Sequence, residues 1–146
     1  MPVLDLRELP PPRRHPLVYE HLNSLTGDDE LELINDHKPS PLRYEMEATR
    51  PGEFAWEDGE DGPEVWSARI RCTAKVVDAR PIIGSGGEPF DQIMAAAADV
   101  EPGGVLVVIA PFEPVPLEGV LGSQGFDHQV FELSSGDFRV AFRRTA

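Results

Sequence analysis

In 146 residues the chain has one cysteine, Cys72, and two lysines, Lys38 and Lys75. A single cysteine excludes an intramolecular disulfide and a cysteine-cluster metal site, and it suits a reducing compartment, so a cytoplasmic location is expected. Long apolar runs are missing as well. The longest, Val105 to Ala110 and on through Pro111 and Phe112, falls far short of the roughly 20 residues that span a bilayer. Asp5, Arg7 and Glu8 interrupt the N-terminal stretch, so no signal peptide is read there. Positive charge is scarce: 13 basic against 26 acidic residues give a net charge of -13. Nucleic acid and anionic membranes would be repelled, and neither is expected as a partner. Ser-His-Asp, paired-carboxylate and HExxH-type signatures are absent, so no catalytic residue is assigned and a non-catalytic role is expected.

The acidity is spread evenly. Residues 1–73 hold 16 acidic and 8 basic residues, and residues 74–146 hold 10 and 5, which describes a solvated acidic surface rather than a tail. The preference for arginine over lysine fits a GC-rich genome or a saline habitat. With 40% hydrophobic residues the chain can bury a core without metals or disulfides.

Taken in order, Val3 to Arg7 alternates as a strand until Pro10-Pro11-Pro12 stops it. His15-Pro16 opens a helix with Val18, Leu22 and Leu25 on one face and Gly27 past its end. Leu31 to Ile34 forms a strand, Asn35 to Pro41 a polar turn, and Leu42 with Met46 a second helix that Pro51-Gly52 ends. Phe54 to Trp56 and Val65 to Cys72 make a hairpin, with Trp56 facing Trp66 across it. The predicted order is βαβαββ.

From Val76 the same order returns. Val77-Asp78-Ala79-Arg80 matches Leu4-Asp5-Leu6-Arg7, and Glu88-Pro89-Phe90 matches His15-Pro16-Leu17, both at an offset of 73. Past a gap of two residues, Pro114-Val115-Pro116-Leu117 matches Pro39-Ser40-Pro41-Leu42. The repeat predicts an α/β (α+β sandwich) fold of two tandem units, each a four-stranded mixed sheet with two helices, with domains at 1–73 and 74–146.

Arg14-His15-Pro16-Leu17, Asn35-Asp36-His37, Pro41-Leu42-Arg43-Tyr44, Glu64-Val65-Trp66, Gly86-Gly87-Glu88-Pro89-Phe90 and Glu113-Pro114-Val115-Pro116-Leu117 carry a resemblance over nearly the whole chain. They resemble a bacterial and archaeal family of unknown function within the TusA/SirA-like superfamily, often found in tandem or beside hemerythrin-like domains. The resemblance implies a redox or hemerythrin-like protein as a partner and sulfur transfer as an alternative activity. Sulfur carriers of the TusA kind use Cys-Pro-x-Pro at the first helix, where the helix N-terminus stabilises a persulfide anion. Here Pro10 to Pro16 and Ile82 to Pro89 hold no cysteine, so a sulfur-transfer protein of this type would have lost that motif.

Site candidates cluster in the first unit. His15 and His37 fall on loops at the carboxyl ends of neighbouring parallel strands, the usual crevice of open α/β sheets. Arg14, Asn35 and Asp36 accompany them. A helix N-terminus with arginines suits a small anion, whereas imidazoles with Asp36 suit a divalent metal or an iron centre held by His15 and His37. The structural alternative has His15 capping its helix and His37 bonded within its turn. In the second unit Glu88 and Phe112 replace the histidines, so its site is expected to be degenerate and its role to be packing or docking. Asp5/Arg7 and Asp78/Arg80 are expected to be structural salt bridges, Cys72 a core thiol, and His21 and His128 packed residues. Gly84-Ser85-Gly86-Gly87 is read as a flexible lead into a helix, since it lacks a phosphate-loop pattern.

Overall fold

The computed structural model describes residues 2–25 and 29–145 and divides the chain into two compact units, Met1–Thr73 and Ala74–Ala146. The first contains β1 (Val3–Asp5), α1 (Pro11–Leu22), β2 (Glu30–Asn35), α2 (Ser40–Thr49), β3 (Phe54–Asp61) and β4 (Trp66–Cys72). Its sheet runs β1-β2-β4-β3, with β1 parallel to β2 and the other pairs antiparallel. The second contains β5 (Lys75–Asp78), α3 (Arg80–Gly84), α4 (Phe90–Ala98), β6 (Val105–Ala110), α5 (Val115–Ser123), β7 (Phe126–Glu132) and β8 (Phe138–Arg144). Its order, β5-β6-β8-β7, repeats the first with the same mixture of directions. Two α+β units, each with a four-stranded mixed sheet, are therefore present.

The register repeats too. Leu4 pairs with Leu33 in the first unit and Val77 with Val108 in the second. Strand alternation sends Leu31, Leu33 and Asn35 to one face of β2, and all three are buried. Leu106, Val108 and Ala110 take the corresponding face of β6 and are buried as well. A parallel pair needs a crossover connection, and α1 in one unit and α3 with α4 in the other supply it.

Four expectations need correction. Helix α1 starts at Pro11, four residues before His15, so His15 lies within it and Pro16 sits inside the helix. Prolines at its first two positions have no intrahelical N–H to lose, and their fixed φ already suits a helix. The second unit has an additional five-residue helix, α3, where a loop was expected. Strand β3 continues past Trp56 to Asp61. Finally, Trp56 pairs with Ile70 and Trp66 with Asp61, so the longer β3 slides the two tryptophans out of register. Gly27, expected to stop the first helix, lies outside the described residues.

Candidate functional site

In each unit the two parallel strands end side by side and hand the chain to loops that lead into helices. In the first unit this crevice is filled from within. Starting α1 at Pro11 puts Arg14, Val18 and Leu22 at i, i+4 and i+8, and all three are buried. Arg14 thus heads the apolar stripe, with its guanidinium turned to the strand ends. Its Nε donates to Leu9 O at 2.9 Å. Nη1 donates to Asn35 Oδ1 and Asp36 Oδ1, each at 2.9 Å. Nη2 donates to Asp36 Oδ2 at 3.2 Å and Arg7 O at 3.4 Å. A guanidinium has five N–H donors, so this set uses them all. Asn35 Oδ1 also accepts the Asp36 N–H at 2.9 Å. The Arg14 and His37 side chains hold the Asp36 carboxyl down at about 2.

Arg14, Asn35 and Asp36 are therefore brought together and bonded to one another. The two histidines lie at the edge of this knot with different partners. His15 Nδ1 is 3.1 Å from Glu45 Oε2 of α2, and His37 Nδ1 is 2.8 Å from Asp36 Oδ1. Both rings are exposed, at 43% and 59%. Among the described residues, no group of three or more His, Cys, Asp or Glu side chains is arranged to hold a metal ion.

The second unit keeps the frame and loses the filling. At the offset of 73, Gly87 stands for Arg14; at the offset of 75 set by the strand register, Ala110 and Pro111 stand for Asn35 and Asp36. The carbonyl of Ile82, counterpart of Leu9, accepts the Gly87 N–H at 2.8 Å and the Ser85 hydroxyl at 3.0 Å. A Cβ on Gly87 would meet Ile82 at 3.1 Å, so the loop has closed over the path of the Arg14 stem. What remains is a cavity of about 630 Å³. Ile83, Ile93, Val108 and Leu117 form its walls, Ala79 and Ala110 its strand side, and Phe90 and Phe112 part of its mouth. The two phenylalanines are 42% and 52% exposed.

The one charged residue among those lining this cavity is acidic. Glu88 lines it and accepts the Phe90 N–H at 2.9 Å. Glu113 lies between two lining residues, Phe112 and Pro114, and Glu118 follows a third, Leu117. Burial pushes the Glu118 carboxyl up, the Glu113 carboxyl adds to this, and His128, with Nε2 at 3.1 Å, opposes it. Arg80 is tied to Asp78 at 2.8 Å and to Asp137 at 2.9 Å, which anchors the β7–β8 turn to the end of β5. The Asp5/Arg7 pair makes the same local bridge at 2.7 Å. Both pairs match the structural role expected for them.

The histidines point to a ligand in the first unit, whereas the open cavity at the ends of β5 and β6 lies in the second. Its signal was the loss of side-chain volume from Arg14 to Gly87 and from Asn35 to Ala110 without a larger residue in return. A buried ion pair also went unrecognised. Arg50 Nε and Nη2 donate to the two Glu53 oxygens at 2.9 and 3.0 Å, and the guanidinium lies over Phe54 at 5.0 Å and Tyr19 at 5.8 Å. Cys72 is buried at the end of β4, and His21 is bonded to Leu17 O at 3.0 Å within α1.

No curated protein and no solved structure matches the chain. Among families, the one described as an uncharacterized conserved protein (DUF2249) matches residues 3–72 and again residues 76–144. Covering nearly the full length in two tandem copies, these matches establish that the chain belongs to that family.

Proposed function

We propose that the protein is a non-catalytic binding module that takes a small, largely apolar molecule in the cavity of its second unit. The observation that carries this is the cavity of about 630 Å³ at the carboxyl ends of β5 and β6. Its size falls within the roughly 300–1,000 Å³ typical of ligand sites, and its position is where open α/β sheets bind their ligands. The first unit supports the reading by contrast, because the buried, hydrogen-bonded Arg14 side chain occupies the corresponding position there. An environment-sensitive naphthalene dye should bind the full-length chain at one site. Ala110→Leu, which adds volume at the strand side of the cavity, should remove that binding while the protein stays folded. Undiminished dye binding in Ala110→Leu would sink the proposal.

A second reading keeps a divalent metal, an iron centre or a small anion at His15 and His37. The observation in its favour is that each ring is oriented through Nδ1 by a carboxylate, as metal-ligating histidines commonly are. Two imidazoles supply fewer than the three or four ligands of an ordinary zinc site, so a further ligand would have to come from water or a partner. The βαβαββ order of the first unit, repeated in the second with the one added helix α3, supports a place for the family in the TusA/SirA-like superfamily. Sulfur transfer gains no support from Cys72, whose thiol is buried. Docking to a redox or hemerythrin-like protein is a proposal that rests on the family resemblance alone.

A further inference from the structure

The cavity is not electrostatically neutral, and its charge selects among apolar molecules. None of the side chains that line it is a lysine or an arginine, whereas Glu88 is a lining residue. The neighbouring basic group, Arg80, is already paired with both Asp78 and Asp137. Lys75 is paired with Asp99 at 3.1 Å, and Arg144 donates to Val100 O at 2.7 Å. Glu113 and Glu118 add two further carboxyl groups beside lining residues. An anionic head group in the cavity would meet the Glu88 carboxylate and no lining cation, within a chain of net charge -13.

The mouth also has aromatic faces to offer. Phe90 and Phe112 are both lining residues and both exposed, so their rings are open to a ligand at the mouth. An aromatic ring attracts a cation through its electron-rich face. Apolar walls beyond a mouth of two phenyl rings and a carboxylate suit a molecule with an apolar body inside and a positive charge at its outer end.

We infer that the second unit's cavity binds an apolar, aromatic-sized molecule bearing an amine or ammonium group, in preference to neutral or anionic molecules of the same shape. This rests on the proposal that the cavity is a ligand site and names the class of ligand. Three probes on one skeleton test it by titration calorimetry with the full-length chain: 2-naphthylmethylammonium, 2-naphthylmethanol and 2-naphthylacetate. The ammonium should bind about twofold to fivefold tighter than the alcohol, the span of an exposed cation–ring contact. The acetate should bind more weakly than either. Glu88→Gln should bring ammonium affinity toward that of the alcohol and leave the alcohol unchanged.

Two failures are distinguishable. If all three probes bind and Ala110→Leu abolishes them, but the acetate binds as tightly as the ammonium, the charge preference is overturned and the cavity stands. If no probe binds, or if Ala110→Leu leaves binding undiminished, the cavity reading itself is overturned; Phe112→Ala should weaken all three probes. Because Phe112 is exposed, its truncation tests the mouth without the risk of unfolding that a buried substitution carries.

Discussion

Where its parallel strands end, the first unit carries Arg14, Asn35 and Asp36, and the second carries Gly87, Ala110 and Pro111 at the same places in the repeat. The sheet order and the register of the parallel pair are the same in both. One crevice is filled by a five-bond arginine knot, and the other opens as a cavity. A repeated frame thus fixes the location of a crevice, while three side chains decide whether it is occupied by the chain itself or left for a ligand. Loss of polar residues from the second copy marks the gain of a space there.

The strongest way to break this comparison is to remove the knot. Arg14→Ala takes away all five hydrogen bonds and leaves Asn35 buried without its guanidinium partner. Leaving a buried polar group without its partner costs about 1–3 kcal/mol, and because Asp36 itself is exposed urea unfolding should show a loss within that range. A loss under about 0.5 kcal/mol, as for ordinary surface changes, would mean that the knot is incidental and that the two crevices differ for another reason. Next in size is Ala110→Leu in the second unit. It should weaken dye binding about tenfold or more, equivalent to about 1.4 kcal/mol, with little change in the unfolding midpoint.

The pH response sharpens the same contrast. In the first unit Asp36 is lowered from its ordinary 3.8 to about 2 by Arg14 and His37. A depressed carboxyl contributes stability that is present above its unfolded value and lost as the pH falls from about 4 toward 2. In the second unit Glu118 is raised above its ordinary 4.5 by burial and by Glu113. The sign reverses: its contribution is complete below 4.5 and is lost as the pH rises through the higher folded value. Glu118→Gln should therefore flatten the decline in thermal midpoint that begins above 4.5 and leave the acid limb unchanged. An unaltered profile would show that Glu118 ionises in the fold as easily as in the unfolded chain.

Much of the frame was legible in the sequence because it follows from periodicity. The alternation of Leu31 and Leu33 and the recurrence of Asp-x-Arg at Asp5 and Asp78 led to the strand order and the repeat. The content of the crevices was less legible, for two physical reasons. Pro10-Pro11-Pro12 was read as the end of a strand, although prolines also start helices, and moving the start of α1 to Pro11 turns Arg14 from a loop residue into the head of the buried stripe. Groups that could bond a ligand, such as histidines, stand out in a sequence, whereas absent volume does not. Gly87 and Ala110 carry no chemistry of their own, and their contribution is the room they leave.

The smallest expected effects are those at the two histidines first singled out. His15 and His37 sit at the rim with carboxylate partners that are themselves exposed, Glu45 at 48% and Asp36 at 46%. Exposed ion pairs contribute about 0–1 kcal/mol because solvent screens them and both side chains lose freedom. His15→Ala and His37→Ala should therefore each change stability by less than about 0.5 kcal/mol, and should leave dye binding in the second unit unchanged. Elemental analysis of the purified chain decides what else the rings do. Stoichiometric Fe, Zn or Cu that disappears in both variants would make the first unit a second binding site beside the knot. Without such metal, and with an unaltered affinity for small anions such as phosphate, the two imidazoles reduce to orienting contacts: His15 would link α1 to α2 through Glu45, and His37 would help Arg14 hold Asp36 ionised.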